Sequence, residues 1–194
     1  MDIILGSQSP RRRVLMAGLD LPFTAVNIDA DETYPSHLQA GDIPYYISRV
    51  KARAYACHLK EDQLLITADT IVWSDGRMLG KPHDESEAFA MLRQLSGKTH
   101  QVYTAVTFAR KENATSDDPE LTTIVDQTDV TFAELADEEI THYIRQYRPF
   151  DKAGSYGIQE WIGYIGCTSI HGSYFNVMGF PIHRVYAYLR KFVS

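Results

Sequence analysis

A segment near the N-terminus combines residues that suit the binding of an anion. Residues 7–13 read Ser-Gln-Ser-Pro-Arg-Arg-Arg and follow a short apolar run, Ile3–Leu5. The pattern predicts a buried strand, a small loop and a helix that Ser9 caps and Pro10 starts. Free N–H groups at a helix N-terminus attract anions, whereas arginines there oppose the helix dipole. The three arginines therefore indicate a polyanionic ligand such as a phosphate chain, and a solvated basic helix end is the alternative.

Two carboxylates are candidates for catalysis or for metal binding. Asp69 lies where the apolar run of a strand predicted over Leu64–Val72 gives way to polar residues. Ligands of open α/β sheets bind at the carboxyl ends of strands, where a carboxylate can act as a general base or hold a metal. Glu32, in an acidic loop, is the natural second carboxylate for a hard metal ion. The alternatives are a capping role for Asp69 and a solvated loop charge for Glu32.

Two lysines are candidates for phosphate contacts. Lys51 belongs to a helix predicted over residues 44–58, and a solvated helix face is the alternative for it. Lys81 lies between Gly80 and Pro82, a stiff position that suits a single phosphate contact.

The segment from residue 149 to residue 159 is polar and interrupted by glycines, which is typical of a functional loop. Gln159 at its end could contact the edge of a nucleobase through its amide, or could serve only as a hydrogen-bonding residue at the start of a strand. Asp151 and Lys152 suit a salt bridge that shapes this loop as well as they suit a catalytic role.

The composition of the chain limits its function. At 194 residues, we expect one domain spanning residues 1–194 with a substantial core. The net charge of −6 argues against general nucleic-acid binding, so an anion site must be a local basic cluster. Cys57 and Cys167 form neither a disulfide framework nor a zinc motif. We find no signal peptide and no apolar run that could span a bilayer, so we expect a cytoplasmic protein without membrane contact.

Helix and strand patterns alternate along the chain, and two hairpins interrupt the alternation. This order predicts an α/β fold with a mixed central sheet that contains antiparallel pairs and is flanked by helices. Asp75-Gly76 marks one hairpin turn, and a polar loop over residues 112–120 joins the strands of the other. Strands are predicted at 3–5, 23–27, 64–72, 101–110, 122–132 and 163–170, and helices from Pro10, over 44–58, 84–95 with Asp84 as cap, 137–146 with Asp137 as cap, and 182–192.

Six motifs in order resemble those of the Maf family of nucleoside triphosphate pyrophosphatases, over nearly the whole chain. Each motif alone is weak, but six at compatible spacing make a strong resemblance. Two departures occur: Gly6 stands where the family usually has Ala, and Glu160-Trp161 stands where it often has Gly-Leu. The motifs are Ser-x-Ser-Pro-Arg-Arg at 7–12, Ala-Asp-Thr at 68–70, Lys-Pro at 81–82, Leu-Ser-Gly-x-Thr-His at 95–100, Asp-Lys-Ala-Gly-x-Tyr-Gly-Ile-Gln at 151–159 and Gly-Ser-Tyr-x-Asn-Val-x-Gly-x-Pro at 172–181.

The resemblance implies hydrolysis of a nucleoside triphosphate between the α and β phosphates, which yields the monophosphate and pyrophosphate. It also implies a divalent cation (Mg, Mn or Co) and an elongated, two-lobed fold similar to that of inosine triphosphate pyrophosphatases, with a central cleft. Asp69 would accept the proton and, with Glu32, hold the metal. The phosphate-binding residues would be Ser7, Ser9, Arg11, Arg12, Lys51 and Lys81.

Three positions divide the family by substrate, and they are Arg11, Thr70 and Gln159 here. They match the branch that takes dTTP and UTP, whereas the 7-methyl-GTP branch has Trp at the first. The amide of Gln159 can pair with N3–H and O4 of uracil, but in the flipped orientation it can pair with the N3 acceptor and the amino group of cytosine. Rejection of cytosine therefore needs a neighbour that holds the Gln159 amide one way round.

The alternative function is a nucleotide-binding regulatory module linked to septum formation. The oligomeric state is left open, with a homodimer as one option.

Overall fold

The computed structural model describes residues 1–111 and 118–192, and the strands within these ranges form one mixed sheet. Strand β1 is parallel to both β2 and β3, whereas β4 pairs antiparallel with β3 and β7 pairs antiparallel with β6. The order across the sheet is β2-β1-β3-β5-β6-β7, with β4 beside β3. The strands are β1 (Asp2–Gly6), β2 (Phe23–Val26), β3 (Gln63–Ser74), β4 (Arg77–Leu79), β5 (Thr99–Arg110), β6 (Glu120–Phe132) and β7 (Cys167–His171).

Helices flank this sheet, so the predicted α/β fold with a mixed central sheet is confirmed. Of the predicted loop at 112–120, residues 112–117 lie outside the described residues. None of the helices in the described ranges is both long and apolar enough to cross a membrane. The α-helices are α1 (Pro10–Ala17), α2 (Asp42–Ala54), α3 (Glu85–Leu95), α4 (Asp137–Tyr147), α5 (Trp161–Gly166), α6 (Tyr174–Val177) and α7 (Ile182–Leu189), and short 3₁₀ turns cover Ala56–His58 and Ala153–Ser155.

Several boundaries differ from the sequence prediction. The strand predicted over 163–170 is wrong in its first half, because helix α5 continues to Gly166 before β7 begins. The last helix ends at Leu189 rather than at residue 192, and the helix predicted over 44–58 ends at Ala54 and passes into a 3₁₀ turn.

The predicted cap of α4 is also wrong. Ala136 occupies the cap position, and its N–H donates to the Glu139 side chain. Asp137 is the first helical residue and instead forms an ion pair with Arg93. By contrast, Asp84 caps α3 as predicted, because its Oδ1 accepts a hydrogen bond of 2.8 Å from the N–H of Glu87.

The chain divides into two compact units, and the first comprises Met1–Asp69, Thr104–Asp126 and Gly179–Ser194. Its parallel strands β1 and β3 contain the apolar runs Ile3–Leu5 and Leu64–Ile66, whose side chains are all buried, as expected for strands that are covered on both faces. Leu5 of β1 lies opposite Ile66 of β3, and both side chains are fully buried. Met16 of α1, Phe108 of β5 and Leu189 of α7 complete this core.

The second unit comprises Thr70–Tyr103 and Gln127–Met178. Its core joins side chains from β3, β5, β6 and helices α3 to α5. The β3–β4 hairpin turns at Asp75 and Gly76, whose φ angles of 50° and 75° are those of the predicted Asp-Gly turn. The largest fully buried side chains of the second unit include Tyr143 and Phe132.

Candidate functional site

In the first unit, Ser7 organises the loop between β1 and α1. Its side chain is buried, and its Oγ accepts a hydrogen bond of 3.2 Å from the N–H of Ser9. The Ser7 carbonyl accepts a further bond, of 3.2 Å, from Nε of Arg13. Pro10 opens α1 as predicted, and Ser9 stands at the cap position with extended backbone. Within the described residues, however, the Ser9 side chain makes no capping bond, so this part of the prediction is corrected: Ser7, not Ser9, orders the loop.

Arg12 ties this loop to the middle of β3, because this strand continues past Asp69 to Ser74 and does not end at Asp69 as predicted. Its Nε donates to the carbonyl of Gly179 at 2.8 Å, and its Nη1 donates to the carbonyl of Ala68 at 2.9 Å and to Ser7 Oγ at 3.4 Å. Burial lowers the pKa of the guanidinium to about 10, while the nearby Asp69 carboxylate opposes this shift. Arg12 therefore stays cationic at neutral pH and brings its charge close to Asp69.

Asp69, Lys51 and Glu32 form an ion-pair cluster, so the structure brings together three of the predicted site residues. Lys51 Nζ lies 2.8 Å from Asp69 Oδ1 and 3.0 Å from Glu32 Oε1. The Lys51 and Asp69 side chains are only 14% and 13% exposed, whereas that of Glu32 is 53% exposed. Burial raises the pKa of the Asp69 carboxyl, and the charges of Lys51 and Arg12 oppose that rise. A carboxylate with a raised pKa is a stronger proton acceptor than an exposed one.

A chain of buried hydroxyl groups holds helix α2, which carries Lys51, against the strands. Ser48 lies one turn before Lys51, and its Oγ is 2.8 Å from Oγ1 of Thr107 on β5. The Thr107 hydroxyl lies 2.9 Å from that of Thr123 on β6, and Thr67 Oγ1 donates to the Ser48 carbonyl at 2.7 Å. Sequence reasoning missed these residues. The available signal was the presence of hydroxyl residues inside apolar runs, where a buried polar group needs a partner.

Gly6, which departs from the usual Ala of the family, has a packing reason. A Cβ atom at this position would lie 2.4 Å from Cδ1 of Ile28 and 3.1 Å from Cγ2 of Thr67. The Ile28 side chain therefore occupies the space that an alanine at this position would need.

The two carboxylates of the cluster fit a metal ion that is shared with a substrate. The described residues contain no group of three or more His, Cys, Asp or Glu side chains that could hold a metal by themselves. Mg²⁺ is commonly bound by one or two carboxylates together with substrate phosphates, and it seldom occupies an all-protein cage. Asp69 and Glu32, which share Lys51 as a counter-ion, match that donor set.

In the second unit, the Asp151-Lys152 salt bridge shapes the 151–160 segment. Lys152 Nζ lies 2.7 Å from Asp151 Oδ1 and 3.1 Å from Glu160 Oε1, and its side chain is only 9% exposed. Gly154 has a φ of 66°, and its N–H donates to the carbonyl of Gly80 at 3.0 Å. A Cβ at Gly154 would lie 2.8 Å from Cγ2 of Val72, so the segment packs too closely there for a larger residue.

Gln159 closes this segment with a half-buried side chain. Its Oε1 atom is buried and, among the described residues, has no hydrogen-bond partner. Buried polar atoms usually have partners, so this unsatisfied oxygen makes Gln159 a candidate for a ligand contact. Of the other predicted residues, Lys81 is exposed and Thr70 half-buried, both in the second unit, and Arg11 is half-buried on α1.

A mixed α/β sheet thus carries a mostly buried aspartate–lysine pair beside a basic loop. The chain belongs to the Maf family, because a family model described as Maf-like protein matches residues 2–192.

Curated relatives are similar over almost their whole length. A protein from Phocaeicola vulgatus is 53% identical over 196 residues, which cover 97% of this chain and 95% of the relative. One from Bacteroides thetaiotaomicron is 50% identical over 190 residues, with the same coverage. Both relatives are named dTTP/UTP pyrophosphatase.

Two solved structures share the fold. The Ham1 protein of Staphylococcus aureus has a TM-score of 0.52 and 14% identity, covering 98% of this chain and 99% of its own. A HAM1 protein from Coxiella burnetii has a TM-score of 0.50 and 16% identity at the same coverage. At this level of identity, the likeness concerns the fold alone.

Proposed function

We propose that this protein is a dTTP/UTP pyrophosphatase, which hydrolyses these nucleotides between the α and β phosphates. The observation that carries the proposal is the buried Asp69 carboxylate, held by Lys51 beside the basic loop of residues 7–13. The names of the curated relatives, at about half identity over nearly the whole chain, support the same reaction.

Asp69 orients the attacking water and accepts its proton. Burial favours the protonated form of this carboxyl, so the group can take up a proton as the water oxygen approaches phosphorus. The hydrogen bond from Lys51 fixes Oδ1 and thereby the direction of the carboxylate. A bond forms between the water oxygen and the α-phosphorus, the bond to the bridging oxygen breaks, and pyrophosphate leaves with its electron pair.

Cationic groups neutralise the charge that spreads over the phosphates. Phosphoryl transfer depends mainly on positioning and on such electrostatic stabilisation. Arg12 carries out both tasks, because its guanidinium holds β3 at Ala68 and places positive charge near Asp69. Ser7 orders the loop between β1 and α1, and Ser7 and Ser9 are proposed to contact phosphate. The other cations proposed to contact phosphate are Arg11, Lys51 and Lys81.

Asp69 and Glu32 would hold a divalent cation, Mg, Mn or Co, together with the substrate phosphates. When bound, such an ion supplies charge neutralisation at the phosphate oxygens. Lys51 keeps the two carboxylates in place from between them.

Gln159 selects the base, with Arg11 and Thr70 as the other substrate-determining residues. The buried, unsatisfied Oε1 of Gln159 suits the N3–H of uracil or thymine, and its amide N–H suits O4. Cytosine offers the opposite pattern, and a site built for one hydrogen-bonding pattern rejects a ligand that leaves its groups without partners. UTP and dTTP should therefore be the best substrates, with CTP weaker and ATP and GTP poor.

A panel of nucleotides tests this proposal. The purified chain is incubated with UTP, dTTP, CTP, ATP, GTP and 7-methyl-GTP, with and without Mg²⁺ or Mn²⁺, and pyrophosphate and monophosphate are quantified. We expect UMP and pyrophosphate in equal amounts, and loss of turnover with a chelator. Faster hydrolysis of GTP or 7-methyl-GTP would overturn the substrate assignment, and triphosphate binding without pyrophosphate release would favour the regulatory alternative.

A further inference from the structure

Glu160 is a departure from the family pattern that has a defined structural partner. The buried hydroxyl of Tyr143, on α4, donates a hydrogen bond to Glu160 Oε2, while Lys152 Nζ lies 3.1 Å from Oε1. Both oxygens of this carboxylate are therefore engaged. Burial and the neighbouring Glu160 carboxylate raise the pKa of Tyr143, so its hydroxyl remains protonated as the donor.

The same tyrosine also holds the backbone just before Gln159. Its hydroxyl oxygen accepts a hydrogen bond of 3.0 Å from the N–H of Gly157. The N–H of Glu160 donates to the Gly157 carbonyl at 3.0 Å, which closes a tight turn around Gln159. A Cβ at Gly157 would lie 2.8 Å from the Glu160 carboxyl carbon, so glycine at 157 and glutamate at 160 fit each other.

Two further contacts restrict the backbone of this turn. A Cβ at Gly163 would lie 1.9 Å from the carbonyl oxygen of Ile158, so helix α5 packs directly on the residue before Gln159. The hydroxyl of Tyr164, also on α5, donates to the Gln159 carbonyl at 2.7 Å. The backbone on both sides of Gln159 is therefore tied to α4 and α5.

We infer that Tyr143 and Glu160 are positioning residues that set nucleobase specificity by fixing the turn that carries Gln159. This inference rests on the proposed function, in which Gln159 contacts the base. A fixed turn places the Gln159 side chain where its amide can meet N3–H and O4 of uracil or thymine together. A loosened turn lets the side chain shift, so that pairing with uracil weakens and the preference over cytosine falls.

The test compares UTP with CTP in three variants. Tyr143→Phe removes the hydroxyl that contacts Glu160 and Gly157, Glu160→Ala removes the carboxylate, and Tyr164→Phe removes the bond to the Gln159 carbonyl. For each of the three, we expect the KM for UTP to rise about tenfold with a smaller change in kcat, because misplacement of a contact weakens recognition. The ratio of kcat/KM for UTP over CTP should fall about fivefold.

Matched controls separate positioning from general stability. Tyr147 stacks on Tyr143 with ring centroids 5.1 Å apart but is 40% exposed, so Tyr147→Phe also removes a hydroxyl from α4 and should leave the ratio unchanged. Glu160→Gln keeps oxygen and shape, and should restore most of the ratio that Glu160→Ala loses. Tyr164 is 76% exposed, so Tyr164→Phe should still fold if the buried Tyr143→Phe does not.

Equal losses for UTP and CTP, or a lower melting temperature with an unchanged ratio, would overturn the inference. Binding of UMP and CMP, measured by calorimetry, separates it from the proposed function. If the wild-type chain hydrolyses no nucleotide but binds UMP in preference to CMP, the proposed function fails. The inference then stands if Tyr143→Phe or Glu160→Ala removes that preference, and it fails if both variants retain the preference or if the wild type lacks it.

Discussion

Each unit of the molecule contains one lysine that bridges two carboxylates. In the first unit Lys51 lies between Glu32 and Asp69, and in the second Lys152 lies between Asp151 and Glu160. The two clusters have nearly the same composition and a similar pattern of exposure, since each has a buried lysine, one carboxylate that is mostly buried and one that is more than half exposed.

The clusters differ in what surrounds the more buried carboxylate. Glu160 is enclosed by the Tyr143 hydroxyl and Gly157, so its oxygens are used within the protein. Asp69 accepts a side-chain hydrogen bond from Lys51 on Oδ1, and the Arg12 guanidinium and the Glu32 carboxylate are further charged neighbours. The same charge pattern can thus shape a loop or provide a reactive group, and the packing around the carboxylate decides which.

Asp69→Asn should have the largest effect. The amide keeps the shape but cannot accept a proton, so pyrophosphate release from UTP should fall about 10²-fold or more. The melting temperature should not decrease, because the substitution removes a desolvated charge. Steady-state kinetics and UTP binding by calorimetry check this, with the exposed Glu138→Gln as control. Near-normal turnover in Asp69→Asn would remove Asp69 from the mechanism.

Low pH should destabilise the second unit, because the buried His100 side chain resists protonation in the folded state. His100 Nε2 lies 2.8 Å from the Tyr156 hydroxyl of the 151–159 segment, its ring packs edge-on to Phe132, and Asp129 is the charged group near it. Burial lowers the pKa of His100 from 6.5 to about 4, although Asp129 opposes this. Between pH 6.5 and about pH 4, His100 therefore binds a proton in the unfolded chain but not in the folded chain. The free energy of unfolding consequently falls as the pH drops from 6.5 towards 4. The full loss is about 3 kcal/mol.

Urea unfolding at pH 7 and pH 4.5 measures this loss. His100→Gln cannot titrate and should lack that part of the pH dependence, whereas the exposed His171→Gln should retain it. The same pH dependence in wild type and His100→Gln would show that His100 is not the responsible group.

Arg11→Ala and Lys81→Ala should each weaken the binding of nucleoside triphosphates more than the binding of monophosphates. Each variant removes a charge-assisted contact to phosphate, worth about 1.5–3 kcal/mol. Calorimetric titration with UTP and UMP in the Asp69→Asn background avoids turnover, and Arg145→Ala on the exposed face of α4 serves as control. Equal losses for both ligands would place these side chains away from the β and γ phosphates.

Ser48→Ala should have the smallest effect. It removes one buried hydroxyl from the chain that joins Ser48 to Thr107, at a cost of about 1 kcal/mol in the free energy of unfolding. Because Lys51 lies one turn later on α2, kcat should also fall by a few-fold. The exposed Ser36→Ala provides the control. A loss of stability with unchanged kcat would confine these hydroxyls to a structural role.

Much of the fold follows from local sequence. The strand over Ile3–Leu5, the start of α1 at Pro10 and the Asp75-Gly76 turn were predicted correctly, because apolar runs, the fixed φ of proline and the positive φ of an Asp-Gly turn act within a few residues. The sequence also predicts Asp69, Lys51 and Glu32 as candidate site residues, and in the structure Lys51 forms ion pairs with both carboxylates.

Tertiary structure decided the rest. The contact between Lys51 and Asp69 joins residues 18 positions apart, and its distance depends on how α2 packs on the sheet. Helix α5 occupies part of a predicted strand, and its Gly163 packs on the Ile158 carbonyl, a contact that no propensity encodes. The partners of Glu160 likewise come from α4 and the preceding loop. Local propensity acts over a few residues, whereas burial and charge depend on residues that folding brings together.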